Sequence, residues 1–318
     1  MDDILTYYQE REQQTAELVE ETLDDTEEED ENPSKISWFN LQHDENKCKI
    51  ITGFTPEEFL VLFDMVSADI DENVGKGRGR KTKISKQDKL LMVFCYLKHY
   101  ETVDEIGKTF SISKTHIYHI LHNTINAIVP ILYRCYVTKE LDDNNEDNKY
   151  IINTTFQEIW KPLGTHKEQR QYYSEKHKMF GLKSQCLHDI KGRVIHCVSG
   201  EKGARDELEI CEDKLDEVKD ILSVDDKVLA DKRYQGLQES INVILPHKKK
   251  PNEELSRRRK QFNEELANEI TISGKYYERL KKRYRIMATK YRNSREEYKE
   301  IFKLCVALTN FHVVLYPL

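Results

Sequence analysis

Long apolar runs are missing from this chain. No stretch approaches the ~18 consecutive apolar residues of a membrane span, and the opening MDDILTYYQE is acidic where a secretory signal would be basic. A membrane-spanning or secreted protein is therefore not expected. Patterned cysteines are missing too: the seven cysteines contain no CxxC and no regular spacing, which excludes a disulfide frame and reads as reduced thiols in a core. The expected compartment is accordingly nuclear or cytoplasmic. His166, His177, His188 and His196 lack a helical His-x-x-x-His pairing or Cys partners at metal spacing, so no zinc site is expected. The two tryptophans, Trp38 and Trp160, read as packing anchors rather than base-stacking platforms, and no internal repeat is present.

What is present is charge, unevenly placed. Residues 1–32 hold 14 acids against one Arg, so the net −7 of the whole chain conceals about +6 in residues 33–318. The run DDTEEEDEN has nothing apolar to bury, and residues 1–35 read as an acidic disordered tail. A basic body behind an acidic tail is compatible with nucleic-acid binding. From Lys76 to Lys89, KGRGRKTKISKQDK carries seven Lys or Arg and one acid, with glycines that let Arg78, Arg80, Lys81 and Lys83 follow a phosphate backbone.

Around this stretch, residues 36–140 read as an all-α domain. Thr55, Pro56 and Glu58 form a capping-box start to the helix EEFLVLFDMVSADI, and DKLLMVFCYLKHY reads as a buried helix. Next come TVDEIGKTF, a break at SIS, and KTHIYHILHNTINAI, which is the pattern of a helix-turn-helix. Val103, Ile106 and Phe110 share one apolar face, Ser113 caps the second helix, and Ile117, Ile120 and Leu121 turn inward. Lys114, Thr115, His116, Tyr118, His119 and His122 are left for the outer face, where such a helix meets a DNA groove.

LDDNNEDNK, Leu141 to Lys149, is a polar linker, and beyond it, over 150–318, the pattern turns to strands. The strands are YIINTTF, GLKSQCLHD, GRVIHCVSG, VLAD and INVILP, with the helix LEICEDKLDEVKDIL between the third and fourth. A basic loop, HKKKPNEELSRRRKQ, leads to a long helix from about Phe262 to Lys290, and EEYKEIFKLCVALTNF closes the chain. This order is mixed α/β. Asp231 ends the VLAD strand before a turn at Tyr234 to Gly236, and strand ends of that kind line clefts.

Three segments together resemble DDE superfamily transposases of the PIF/Harbinger type. They are QYYSEKHKMFGLKSQCLHDIKGRVI (Gln171 to Ile195), VLADKRYQG with LPHKKK behind it, and YYERLKKRYRIM (Tyr276 to Met287) with ALTNF near the end. The helix-turn-helix matches the module that precedes the catalytic domain in that family. The resemblance implies an RNase H-like mixed sheet behind an all-α helix-turn-helix domain, DNA as partner, a separate Myb-like DNA-binding protein, and a divalent metal, Mg²⁺ or Mn²⁺.

The family chemistry needs three carboxylates holding two metal ions. By resemblance the first falls at Asn153, the second at Asp231 and the third at Gly274, so two of the three catalytic and metal-ligating acids are replaced. Asp206, in KGARDELEI, matches a family Asp and is a further metal-ligand candidate, while Glu278 and Glu269 lie about one helical turn from Gly274. Hard ions prefer anionic oxygen, so metal binding is expected to be weak or lost. DNA contacts are expected from the helix-turn-helix, Lys76 to Lys89, Lys248 to Lys250, Arg257 to Lys260, and Lys281 to Arg285. The leading expectation is a transposase-derived DNA-binding protein with lost or reduced cleavage. A nuclease completed by Glu278, Glu269 or Asp206, and a decaying element copy, stand beside it.

Overall fold

The structure is a computed structural model describing residues 36–70, 84–139, 148–249 and 254–318. The acidic tail, Arg78, Arg80, Lys81, Lys83, most of the polar linker and Lys250 lie outside the described residues. The chain divides into two compact units, Met1–Ile131 and Leu132–Leu318.

The first unit is helical: α1 (Trp38–Leu41), α2 (Glu45–Thr52), α3 (Pro56–Val66), α4 (Lys86–His99), α5 (Val103–Thr109) and the start of α6 (Lys114–Tyr136). Thr55 and Glu58 close the capping box of α3, and Thr102 and Glu105 close another at α5. α4 is buried along Lys89 to Leu97 and centres the core. Phe94 packs 5.0 Å from Phe54 and 5.6 Å from Phe59, on which Trp38 stacks at 4.0 Å.

The turn from α5 to α6 is too tight for a side chain at Gly107, where a Cβ would lie 2.6 Å from the Ile112 carbonyl oxygen. Ile117, Ile120 and Leu121 are buried as their spacing predicts. The helix expected to end near Ile128 continues to Tyr136 despite Pro130, because Ile125, Ile128, Val129 and Leu132 keep one buried face running.

The second unit is built on a mixed sheet of β1 (Lys149–Glu158), β2 (Tyr173–Ser174), β3 (Met179–Asp189), β4 (Val194–Lys202), β5 (Lys227–Leu229) and β6 (Val243–Ile244). The strand path is β2-β3-β1-β5-β6, with β4 also paired to β3. β1 runs antiparallel to β3 and parallel to β5, and β5 is parallel to β6. Side-chain alternation sorts the two faces. Tyr150, Ile152, Val228 and Ala230 pack into one core with Leu187, Cys211 and Tyr234. Ile151 and Leu229 turn to the other face, under Leu266 of the long helix α10 (Arg257–Arg283).

Several boundaries differ from the sequence pattern. After the short α7 (His166–Arg170), the helix expected as LEICEDKLDEVKDIL is two, α8 (Glu207–Glu212) and α9 (Leu215–Ile221); the chain breaks at Lys214 (φ −119°), after Asp213, which Arg205 holds at 2.6 Å. α10 starts at Arg257 rather than Phe262 and stops where Tyr284 turns extended, before α11 (Arg285–Ala288). The C-terminal helix α12 (Arg295–Leu315) is capped by Ser294. Trp38 is a packing anchor. Trp160 is not: it lies just past the end of β1 and is 64% exposed.

Candidate active site

Parallel pairing explains why Asn153 and Asp231 meet. Ile151 is in register with Leu229, so two residues further along each chain Asn153 and Asp231 lie side by side on the face that α10 covers. α10 crosses that face and contributes Gly274 and Glu278. Asn153, Asp231, Gly274 and Glu278 thus line one cavity of about 460 Å³, with Leu266, Ile270 and Lys275 among its other walls. The three positions singled out by sequence are brought together. The buried positions of α10 are Leu266, Ser273, Tyr276, Tyr277 and Leu280, while Ile272 is only half-buried.

Each of the three has a local physical state. Asn153 donates from Nδ2 to Ser273 Oγ at 2.9 Å and accepts at Oδ1 from the Thr154 amide at 2.8 Å. Ser273 in turn donates to the Ile270 carbonyl at 2.7 Å, so its oxygen is left to accept. The reversed amide would set donor against donor at Thr154 and acceptor against acceptor at Ser273. An aspartate here would present oxygen to an oxygen whose proton is already committed. Asn153 therefore serves as a hydrogen-bonded link between β1 and α10.

Asp231 caps a 3₁₀ turn, Lys232–Tyr234, and both of its oxygens are engaged. Oδ1 accepts from the Arg233 amide at 2.7 Å, and Oδ2 accepts from Arg233 Nε at 2.8 Å and also from its Nη2. Burial pushes this carboxyl up, but the hydrogen bonds and charge of Arg233 outweigh it and hold the group below the ordinary carboxylate range. Arg233 reaches on to the buried Glu207 at 3.0 Å, and Lys183 lies 3.4 Å from the same Glu207 oxygen. Gly274 is bare: a Cβ built there meets nothing within 4 Å.

The remaining acids lie elsewhere or alone. Asp206 caps α8, accepting from the Glu207 amide at 2.9 Å, and is not among the cavity residues. Glu269 is paired with Lys149 at 3.1 Å. Glu278 is exposed on the cavity rim. Among the described residues no group of three or more His, Cys, Asp or Glu is arranged to hold a metal ion. The donor set does not fit a two-metal centre: Asp231 is already neutralised by a resident guanidinium, Asn153 is committed as an amide, and position 274 offers no donor.

Arg233, Glu207, Lys183 and Ser273 are the site residues that sequence reasoning passed over. Arg233 alone left a signal, lying two residues past Asp231 in a turn. Of the expected DNA-contacting residues, Lys114, Thr115, Tyr118 and His119 are exposed at the start of α6 and His116 is half-buried. The Tyr118 ring stacks 6.1 Å from His122 and sits edge-on to His119 at 5.8 Å. Lys281 donates to the Phe156 carbonyl at 3.1 Å, and burial lowers its pKa, so its ammonium is partly withdrawn from solvent. Lys248, Lys249 and Arg257 to Lys260 are exposed.

Residues 152–310 match the family model described as DDE superfamily endonuclease, and residues 82–138 match that described as helix-turn-helix of DDE superfamily endonuclease. The chain is 26% identical over 272 residues to a protein named "Probable transposase for insertion sequence element IS702" from Microchaete diplosiphon, an alignment spanning 85% of this chain and 95% of that protein. No solved structure matches the chain.

Proposed function

The chain belongs to the DDE superfamily endonucleases, and from that premise we propose that it is a transposase-derived DNA-binding protein whose metal-dependent strand cleavage is lost or strongly reduced. Enzymes of this family generally use divalent metals, through the Lewis-acid and water-activating chemistry such ions supply. The observation that carries the reading is the cavity where strand neighbours and α10 converge: it presents Asn153, Asp231 and Gly274, and Asp231, the one carboxylate at those three positions, is held by Arg233. In this reading the mixed sheet is an RNase H-like framework kept for its shape. The exposed first turn of α6 and the basic stretch Lys76 to Lys89, which precedes it in sequence, contact DNA, chiefly through phosphates, with strong salt dependence. The PIF/Harbinger-type assignment, and a Myb-like partner with it, rest on the three quoted segments.

The test is plasmid nicking in Mg²⁺ and in Mn²⁺, with DNA binding measured across salt concentrations on the same protein. The unmodified chain is expected to bind DNA and leave plasmid intact. Asn153→Asp with Gly274→Glu is expected to gain divalent-metal binding by calorimetry, and a third change, Arg233→Gly, to strengthen it by freeing Asp231. Nicking by the unmodified chain that disappears in Asp231→Ala would overturn the proposal.

A second reading is favoured by one observation, that Glu278 lines the same cavity as Asp231. It is a working nuclease completed from the next turn of α10, and there Glu278→Gln abolishes nicking.

A further inference from the structure

The expectation that Trp160 packs inward fails, and the way it fails is informative. Its backbone neighbours are fixed on both sides: the Ile159 amide donates to the Phe180 carbonyl at 2.9 Å, and the Tyr291 amide donates to the Glu158 carbonyl at 2.8 Å. Ile159 also forms a parallel bridge with Tyr291. The indole is nonetheless 64% exposed, and Leu163, after it, is 97% exposed. Lys290 Nζ sits 4.3 Å from the indole centroid while paired at 2.7 Å with Glu158. A cation so placed orients an aromatic plane rather than burying it.

The surroundings are cationic. Lys161, His166 and Arg170 line a cavity of about 310 Å³ whose walls include Tyr173 and Phe180. Lys161, Lys167 and Arg170 are exposed and make no ion pair among the described residues. The nearby acids are engaged locally: Glu168 accepts from the Thr165 amide and hydroxyl in a capping box, and Glu175 pairs with Lys178 at 3.1 Å. Beside them the Arg295 guanidinium lies 4.4 Å from the Tyr172 centroid. Trp160 lies two residues past the end of β1 and seven from Asn153 in sequence, roughly 23 Å if the chain stays extended.

We propose that the surface around Trp160 binds single-stranded DNA, one unstacked base resting on the indole and the adjoining phosphates meeting Lys161, Lys167 and Arg170. An exposed, oriented aromatic face flanked by uncommitted cations is the combination that holds a single strand. Inside a duplex the base faces are already stacked on one another, so an indole has no base to receive there. This site uses none of the α6 residues and rests on the reading of the chain as a DNA-binding protein.

The chain carries two tryptophans, and Trp38 is buried against Phe59, so a fluorescence change caused by a base stacking at the surface reports on Trp160. The full chain is titrated with a short oligothymidylate at low salt, while duplex binding is followed by anisotropy on the same preparation. Saturable quenching is expected. Trp160→Phe should keep the affinity but lose the quenching, Trp160→Ala should bind the single strand about tenfold more weakly, and Lys161→Glu with Arg170→Glu should weaken it further. All three positions are exposed, so unchanged melting verifies the fold. No quenching, unchanged affinity in Trp160→Ala, or equal quenching by duplex would each overturn the inference. Duplex binding that persists without quenching would sink this site alone, whereas loss of both would take the proposed DNA-binding function with it.

Discussion

The capping boxes of the helical unit and the buried Asn310 of the α/β unit use polar side chains in opposite ways. In the helical unit, Thr55 with Glu58 and Thr102 with Glu105 satisfy backbone amides three residues away, each pair within one helix start. In the α/β unit the buried Asn310 joins segments far apart in sequence. Its Oδ1 accepts from the Val194 amide at 3.0 Å and lies 3.0 Å from the Tyr276 hydroxyl, and its Nδ2 donates to the carbonyls of Val194 at 2.6 Å and Tyr136 at 2.7 Å. Local polar contacts start elements. Long-range ones tie together β4, α10, α12 and the backbone at Tyr136 within the α/β unit.

That contrast can be broken by mutation, and the largest effect is expected where a buried hub is lost. Asn310→Ala takes this partner from the buried Val194 amide and from the carbonyls of Val194 and Tyr136, while the Tyr276 hydroxyl keeps the Val306 carbonyl, and should cost about 4 kcal/mol. Thr102→Ala removes one exposed cap and should cost about 1 kcal/mol. Urea denaturation of the two variants measures the difference. Similar losses in both would mean that the Asn310 network adds little, and the distinction between cap and hub would fall.

A smaller effect should appear with pH. His188 is fully buried between Tyr276 and Tyr277, at 5.1 and 5.4 Å, with Nδ1 3.1 Å from the Gly192 carbonyl and no partner for Nε2 among the described residues. Burial pushes its pKa down to about 4. The folded ring is therefore neutral with Nδ1 donating, while the unfolded ring takes a proton near pH ~6.5. The unfolded state then binds the extra proton between these values. Stability is full above pH ~6.5 and falls as pH drops toward 4, by about 3 kcal/mol in all. The adjacent Asp189 carboxyl is pushed up by burial against the opposing pull of Arg193, and on acidification it contributes with the opposite sign. Urea midpoints across this range, for the natural chain and for His188→Gln, isolate the histidine: the variant should lose one proton's worth of slope. An unchanged slope would place the pH dependence elsewhere.

What the sequence showed and what it hid follow the same division. The Thr55 cap, the break at Ser111 to Ser113 and the buried spacing of α6 are local, and periodicity and end chemistry reveal them directly. Asn153, Asp231 and Gly274 were reached through resemblance, and the structure brings all three into one cavity. Their present partners were hidden because each is settled by a contact distant in sequence or by a turn geometry. Ser273 meets Asn153 across 120 residues, and Glu207 meets Arg233 across 26. Trp160 was misjudged for a related reason: an aromatic residue just after a strand looks the same in sequence whether the sheet covers it or ends beneath it.

The smallest expected effect concerns Gly274, and it sharpens the comparison from the site's side. A glycine inside a helix destabilises it by roughly 1 kcal/mol relative to alanine, because the unfolded backbone has more freedom to lose. Such a glycine is structurally required only where a neighbour would collide with a Cβ, as the Ile112 carbonyl does at Gly107. At Gly274 nothing lies within 4 Å of that position, which opens into the cavity with Asp231. Gly274→Ala should therefore raise stability by about 1 kcal/mol, and Gly107→Ala should lower it, both read from urea midpoints. If Gly274→Ala were destabilising, the glycine would have a packing role in α10, and an emptied ligand position would no longer explain why it stands there.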